Sequence, residues 1–546
     1  MLWAFPAIAL VGALGIGVGG TSLAAPSSSP ASTTEATASS TAPAPPSLAL
    51  PATSSPSGAA EKGTTGTTRP AAKSEGTANA AAPAGVPAEE PNYYENEAAP
   101  DYNKALALWG TGGASAIAGL YFFGLRNNRA RERGTRATRG AVALPRTVHK
   151  LAGALLIAAA AGIFIGVLYY QNENRGLPLV FSSRAMLKSL WSEYKQKYVD
   201  PATARTIDRE QGDITTSEGQ SYTLLRAVWM DDKQTFDRSF EWTKGHLERP
   251  DHLFSWRYGT RPDGTMGVLP GGGENSASDA DTDIALALLF AWSRWGDERY
   301  LEEAKPVIDA IWKQEVVMVN GKPYLAANNL EKKAGTPHVL VNPSYFAPYA
   351  YRIFAGVDDR HPWEALVDTS YEVIAQSAAL PTENGESAGL PPDWVHLDRK
   401  TGKLSHAAGL STHYGFDAMR IPFRLALDSL WFGEPRATET LERFRFLGEE
   451  WERRAALAAV YARDGAPVSP REAPAFYGGA IGYFMVADKD EFKEILKKKL
   501  VSLYNPDTDA WKLGMSYYDD NWAWFGLALA HEAIPDLGGQ IARAAK

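Results

Sequence analysis

From residue 183 to about 540, apolar positions recur at the 3.6-residue spacing of helices, and few stretches alternate as strands do. Separated by Gly, Pro and Asp turns, the pattern predicts helices near 184–198, 218–230, 233–247, 280–295, 298–313 and 343–354. Further helices are expected near 361–379, 417–431, 438–461, 473–486, 489–503 and 516–533. Twelve helices over this region make six helical hairpins, which can close as an inner ring inside an outer one. An α-solenoid is the competing arrangement, but no internal repeat of fixed period supports it.

Upstream the pattern changes. Residues 1–25 hold an apolar run from Leu2 to about Gly20, followed by the small residues of Ser22-Leu23-Ala24-Ala25. Lacking a basic leading segment, this stretch reads equally as a signal peptide or a first transmembrane segment. Residues 26–100 are Ala, Pro, Ser and Thr with few large apolar side chains, too few to offset the entropy of ordering, and are expected to form a disordered linker. The runs 105–125 and 151–170 are each long and apolar enough to cross a hydrocarbon core as transmembrane helices. Between them, loop 126–150 carries Arg126, Arg129, Arg131, Arg133, Arg136, Arg139, Arg146 and Lys150 against the single acid Glu132. The positive-inside rule makes that loop cytoplasmic. It thereby places residues 183–540 on the periplasmic side of an inner membrane. A buried hairpin in a soluble protein is the other reading. The basic loop and the aromatics at the run ends (Tyr121, Phe122, Phe123, Tyr169, Tyr170) favour membrane spans.

Composition narrows the partners. A net charge of −8 argues against nucleic acid, whose phosphates require a concentrated basic face. With no cysteine, disulfides and thiolate metal sites are excluded. The 16 Trp and 23 Tyr supply flat amphipathic rings suited to stacking on sugars, although most must serve the core.

The densest candidate chemistry lies in Glu274–Leu289, ENSASDADTDIALALL, where Asp279, Asp281 and Asp283 alternate just ahead of an apolar helical run. A calcium loop counted from Asp279 would need Gly at its sixth position and Glu at its twelfth, but these are Ile284 and Phe290. A DxD motif of glycosyltransferases belongs to α/β folds, which this pattern does not predict. The nine histidines show no HExxH spacing, so no metal site and no cofactor is expected. The simplest reading is helix capping: Ser278 and Asp281 have capping-box spacing, and the acids meet the positive end of the helix dipole. Capping leaves Asn275, Ser276 and Gly271-Gly272-Gly273 unexplained.

Ala277-Ser278-Asp279-Ala280-Asp281, with Ile284-Ala285, Ala287-Leu288-Leu289, Ala291 and Trp295, resembles the signature of glycoside hydrolase family 8. The likeness continues at Thr216–Tyr222, Phe236-Asp237-Arg238, Trp242-Thr243 and Asn342-Pro343-Ser344-Tyr345. It recurs at Pro392-Asp393-Trp394-Val395 and Phe416-Asp417-Ala418-Met419-Arg420, but does not extend to residues 1–180. The pattern is most similar to the endo-β-1,4-glucanases encoded with bacterial cellulose synthases. The resemblance implies an all-α fold with an (α/α)6 barrel, in agreement with the helix count. It also implies an inverting β-1,4-glucanase acting on a β-1,4-linked polysaccharide, with a polysaccharide synthase or export complex as a possible partner.

The resemblance assigns the proton donor to Glu218, which otherwise has the spacing of a capping-box acid with Thr215. It assigns the base to Asp417, otherwise an N-cap candidate. Inversion implies carboxyls roughly 6.5–9.5 Å apart, leaving room for water. Asp279 is expected to grip the sugar, and Arg420 to hold Asp417 ionised and oriented. Arg420 also falls within the substrate-binding set. Tyr345, Trp256, Trp394, Tyr517 and Tyr518 match cleft aromatics of the family, whereas Trp292 and Trp295 read as core. Asp281 and Asp283 are left to capping and solvent. Phe416 departs from the family pattern, in which Tyr commonly precedes the base. A chitosanase branch draws its base from an inserted loop, so an Asp at 417 favours the cellulase branch. Chitosan, xylan and mixed-linkage glucan remain open as substrates, as does a catalytically weak glycan-binding protein.

Overall fold

The computed structural model describes residues 180–544 apart from 334, 383 and 384. Segments 1–25, 26–100, 105–125, 126–150 and 151–170, with the linker and membrane spans assigned to them, lie outside the described residues. Among the described residues, no helix is long and apolar enough to cross a membrane.

Six helices form an inner ring: α2 (Ser217–Met230), α4 (Ser278–Trp295), α7 (Pro348–Ala355), α9 (Ile421–Phe432), α12 (Pro474–Val486) and α14 (Tyr517–Ala530). Each packs on its neighbours in that order. The circle closes between α14 and α2, where Arg226 Nη1 meets Asp520 Oδ1 at 3.0 Å and Tyr222 packs edge-on against Trp522 and Phe525. Outside it lie α3 (Lys233–Leu247), α5 (Glu298–Ala310), α8 (Trp363–Ala378), α10 (Pro435–Leu441), α13 (Lys489–Ile495) and α1 (Val180–Tyr198). In the same order, these pair with α2, α4, α7, α9, α12 and α14.

The sequence explains the division. Inner helices are buried around nearly their whole circumference, so α12 reads as the continuous apolar run PAFYGGAIGYFMV. Outer helices bury a single stripe, as α3 does with Phe236, Ser239, Trp242, Thr243 and Leu247. Two glycines set the closest approach in the ring. A Cβ on Gly478 would lie 1.9 Å from the Trp522 carbonyl, and one on Gly526 would lie 2.5 Å from the Gly478 Cα.

The all-α expectation needs correcting in detail. Among the described residues four small antiparallel sheets interrupt the helices: β1 (Thr215–Thr216), β2 (Arg257–Thr260) and β3 (Met266–Val268) in that order; β4 (Val316–Val319) with β5 (Lys322–Leu325); β6 (His338–Val341), β7 (Val395–Asp398) and β8 (Leu404–His406) in that order; and β9 (Tyr504–Asn505) with β10 (Ala510–Trp511). The longest of their strands has four residues, too few for alternation to register as a pattern. The helix expected over 438–461 is instead α10, a 3-10 turn at Glu442–Phe444, and α11 (Phe446–Arg454). It ends at Ala455, whose φ of +51° no helix continues through, and Tyr461 pairs with Tyr414 beyond it. The expected 343–354 helix opens as a separate 3-10 turn, Pro343–Tyr345, before Pro348 starts α7. Two short helices escaped the pattern: α6 (Asn329–Lys333) and α15 (Gly539–Ala544).

Candidate active site

Inner-ring N-termini supply the acids of one site. Glu218 and Asp279 are the second residues of α2 and α4, and Asp417 precedes the 3-10 turn Ala418–Arg420 that leads into α9. Local capping is arranged so that none of the three is used up. Thr216, not Thr215, caps α2, accepting from the Gly219 amide at 3.0 Å, while Thr215 donates to the Thr206 carbonyl. The expected capping box on α4 is absent: Ala277 is the N-cap, and Ser278 Oγ donates to the Ala326 carbonyl at 2.7 Å. Asp417 caps nothing through its side chain.

All three acids converge on Arg420, which is 1% exposed. Its Nη1 donates to Glu218 Oε2 and Asp279 Oδ2, each at 3.0 Å, and its Nη2 donates to Asp417 Oδ1. Ser344 Oγ accepts from Nε and Nη2 at 3.1 and 2.9 Å, and the Tyr345 ring lies against the guanidinium at 5.2 Å. One rigid fork spanning Glu218 and Asp417 keeps their nearest oxygens within roughly 8 Å. Arg420 was expected both to orient Asp417, which it does, and to touch substrate, for which its burial leaves no surface. It is instead spent on the carboxylates, orienting them from beneath. The point where the acids meet is filled by that guanidinium, and no metal-holding group of three or more His, Asp or Glu occurs among the described residues.

Three negative charges against one positive charge cannot all be ionised cheaply in a water-poor site. Burial, opposed by Arg420 and reinforced by Asp279 and Asp417, raises the Glu218 pKa to about 7. Burial also raises Asp417, to about 6, with Arg420 and the Asn342 amide pulling it down and Asp393 pushing it up. Asp279 is raised by burial too, against the pull of Arg420 and Arg424. Glu218 and Asp417 keep 26% and 20% of their side chains exposed, and Asp279 4%, so two acids face the cleft while the third lies deeper.

Of the aromatics, Trp256 and Tyr518 retain open surface. Trp256 Nε1 donates to the Gly272 carbonyl at 2.7 Å, tying it to the glycine-rich lip. Tyr345, Trp394 and Tyr517 are 7%, 3% and 4% exposed, which corrects their assignment as sugar platforms. Tyr345 and Trp394 pack edge to face with each other, and the Tyr517 hydroxyl sits against the backbone of Gly219. Asp281 and Asp283 are likewise not at a solvent face. They are buried, Asp281 Oδ1 accepting from the Phe254 amide at 2.8 Å and Asp283 gripping Arg424 through both oxygens at 3.0 and 2.9 Å.

Sequence reasoning missed the roles of Asp393, Ser344 and Tyr222. Asp393 Oδ1 accepts from the amides of Gly415 and Ala418 at 3.1 and 2.9 Å, and its Oδ2 from Ser411 at 2.6 Å. It thus clamps the turn on both sides of Asp417. Ser344 lies in the Asn-Pro-Ser-Tyr stretch already singled out, and Tyr222, whose hydroxyl accepts from Arg420 Nη1 at 3.4 Å, lies one turn after Glu218, the spacing at which a helical side chain returns to the same face.

Three clustered carboxyls, all shifted upward by burial and two of them open to a cleft, can serve paired acid/base chemistry of the kind that glycoside cleavage needs. The model for "Glycosyl hydrolases family 8" matches residues 165–505, and the chain belongs to that family. It is 30% identical over 327 residues to Endoglucanase A of Acetivibrio thermocellus, covering 58% of this chain and 62% of that protein. It is 28% identical to an endoglucanase of Salmonella typhi, covering 64% of this chain and 90% of that protein. The endo-1,4-D-glucanase structure from Vibrio fischeri ES114 aligns with a TM-score of 0.53 and 26% identity, over 62% of this chain and 93% of that one. The chain spans less than two thirds of the length of several curated relatives.

Proposed function

We propose that the protein is an inverting endo-β-1,4-glucanase that cleaves cellulose-like glucan by general acid/base catalysis. The reading rests above all on Glu218, Asp279 and Asp417, brought from three helix starts onto one buried arginine. The relatives from Acetivibrio thermocellus and Salmonella typhi are likewise endoglucanases.

Glu218, with its raised pKa, donates its proton to the glycosidic oxygen as the C1–O bond breaks. Asp417, ionised, takes a proton from the water whose oxygen attacks C1 from the opposite face. Asp279, at the floor of the cleft, accepts a hydrogen bond from the sugar at the cleavage point and favours its distorted ring, a contact that needs one open lone pair rather than the open ring face that stacking needs. The products carry the inverted anomeric configuration, and the two carboxyls return to their starting states by exchange with solvent. The bound of roughly 8 Å between the carboxyls admits the roughly 6.5–9.5 Å gap of inverting enzymes and the roughly 5–5.5 Å gap of retaining ones alike, so inversion is carried by the family resemblance and read from the product anomer.

The apolar runs 105–125 and 151–170, with the basic loop between them, support anchoring in the inner membrane with the catalytic region facing the periplasm. An anchored glucanase is suited to act beside a polysaccharide synthase or export complex. Added protease should digest the C-terminal region in intact spheroplasts, and full protection there would refute that orientation.

The deciding experiment offers the full-length protein a panel of carboxymethyl-cellulose, mixed-linkage glucan, xylan and chitosan, and follows product anomers by NMR. Initial release of the α-anomer from β-1,4-glucan is expected. Binding of these polymers without release of reducing sugar would replace the enzyme with a glycan-binding protein.

A further inference from the structure

Behind Asp279 lies a second pair of acids that the reaction does not use. Asp281 in α4 and Glu315, the last residue of the wide turn Ile311–Glu315 that follows α5, are both fully buried. One oxygen of each has an evident donor: Asp281 Oδ1 accepts from the Phe254 amide at 2.8 Å, and Glu315 Oε1 from Ser276 Oγ at 2.6 Å. The remaining oxygens, Asp281 Oδ2 and Glu315 Oε2, are buried with no donor among the described residues. Yet the two carboxyl groups are in hydrogen-bond contact with each other. Two carboxylates have no hydrogen to offer, so such a contact requires a proton between them. We propose that Asp281 and Glu315 form a carboxyl pair joined by a retained proton, and that this pair positions Asp279 and the chain entering Glu218.

The connections run to both residues. Asp281 shares the first turn of α4 with Asp279. Phe254, held by Asp281, lies two residues before Trp256, whose carbonyl accepts from the Ser217 amide at 3.0 Å, next to Glu218. The Trp256 amide in turn donates to the Asn275 carbonyl at 2.8 Å. Ser276, held by Glu315, exchanges two hydrogen bonds with Asn329: its amide donates to Asn329 Oδ1 at 3.0 Å and its Oγ accepts from the Asn329 amide at 2.9 Å. The charged groups facing the pair are Asp279, which disfavours ionisation, and Arg249, which favours it. Burial outweighs Arg249: Asp281 is pushed up to about 8, and Glu315 well above the ordinary carboxyl range. The shared proton stands independently of function, whereas the positioning role rests on the proposed roles of Glu218 and Asp279.

The test compares full-length wild type with Glu315→Gln and Glu315→Leu. Glutamine offers an N–H in place of the shared proton. The infrared difference between wild type and Glu315→Gln at pH 7 should show one protonated-carboxyl C=O band lost from wild type. Because the folded pair binds its proton more tightly than the unfolded chain, its contribution is full at acid pH and fades as pH rises toward about 8. The Tm of Glu315→Gln should therefore gain on that of wild type from pH 5 to 9. A difference spectrum without that band, together with a pH-independent Tm difference, would overturn the shared proton. For positioning, Glu315→Gln should keep kcat on carboxymethyl-cellulose, while Glu315→Leu loses roughly 10–100-fold, mainly in kcat. An equal loss in both variants would overturn it, as would no loss in a folded Glu315→Leu. Should the leucine variant not fold, the glutamine variant decides: a matching drop in its kcat overturns positioning. Wild type inert on every glucan would refute the proposed function and leave the infrared and melting results standing.

Discussion

Asp279 and Arg420 form one rung between α4 and the turn opening α9, and Asp283 and Arg424 form the next, four residues on along each element. The deeper rung is balanced. One carboxylate meets one guanidinium through two parallel contacts, and the Tyr349 hydroxyl accepts from Arg424 Nη1 at 3.0 Å. The upper rung is overloaded, with Glu218 and Asp417 added to the same arginine. The same chemical pair thus serves two ends. Balanced and sealed, it fixes the register of two inner helices. Overloaded and open on one side, it leaves carboxyls whose protonation is poised near neutral pH.

The largest effects should come from breaking the overloaded rung at its acids. Glu218→Gln removes the proton donor and Asp417→Asn removes the base, and each should lower kcat on carboxymethyl-cellulose roughly 10²–10⁴-fold. Both variants should melt no earlier than wild type, because each neutral amide relieves repulsion around Arg420. Normal hydrolysis by Glu218→Gln would refute its role as the acid, whatever the outcome for Asp417.

The deeper rung should fail in the opposite sense. Arg424→Met leaves Asp283 buried without its partner and should cost about 3–5 kcal/mol in denaturant unfolding. Adding Asp283→Leu removes the orphaned charge and should recover most of that loss. Were Arg424→Met to leave stability unchanged while abolishing turnover, the contrast between a structural and a chemical rung would collapse.

The contrast also shows what the sequence could and could not convey. The ring was legible because buried inner helices and amphipathic outer ones each leave a periodic trace over a dozen or more residues. Glu218, Asp279 and Asp417 could be singled out because the family resemblance lies in local motifs at helix starts, and the fold brings all three to Arg420. Asp281 and Asp283 were misjudged because alternation along the chain says nothing about which partner arrives from elsewhere: Glu315 and Arg424 come from distant segments. Tyr345, Trp394 and Tyr517 were overvalued for a related reason, since an aromatic ring suits stacking and burial equally and only packing distinguishes the two.

A smaller effect should sharpen the upper rung through pH. Hydrolysis needs Asp417 ionised and Glu218 protonated, so the rate should peak between about 6 and about 7 and fall on either side. Asp393 holds Asp417 upward by its charge while clamping the turn with its acceptors. Asp393→Asn keeps an acceptor but removes the charge, so Asp417 should ionise more readily. The acid limb of kcat/KM should then move to lower pH while the alkaline limb, set by Glu218, stays in place. An unmoved acid limb would confine Asp393 to holding the turn.

The smallest expected change concerns the residue before the base. Phe416 has no hydroxyl of its own, but its ring meets Tyr518 edge-on at 6.0 Å, and the Tyr518 hydroxyl donates to the Phe416 carbonyl at 2.5 Å. The base's backbone is thereby tied to the start of α14 across the cleft rather than through a hydroxyl at position 416. Tyr518→Phe keeps the ring contact and removes that one hydrogen bond, worth about 0.5–1.5 kcal/mol. The loss should appear as a modest fall in Tm and a fall in kcat of no more than roughly tenfold, with KM nearly unchanged because the ring still faces the cleft. A rise in KM at constant kcat would instead make Tyr518 a sugar contact, and would detach it from the positioning of Asp417.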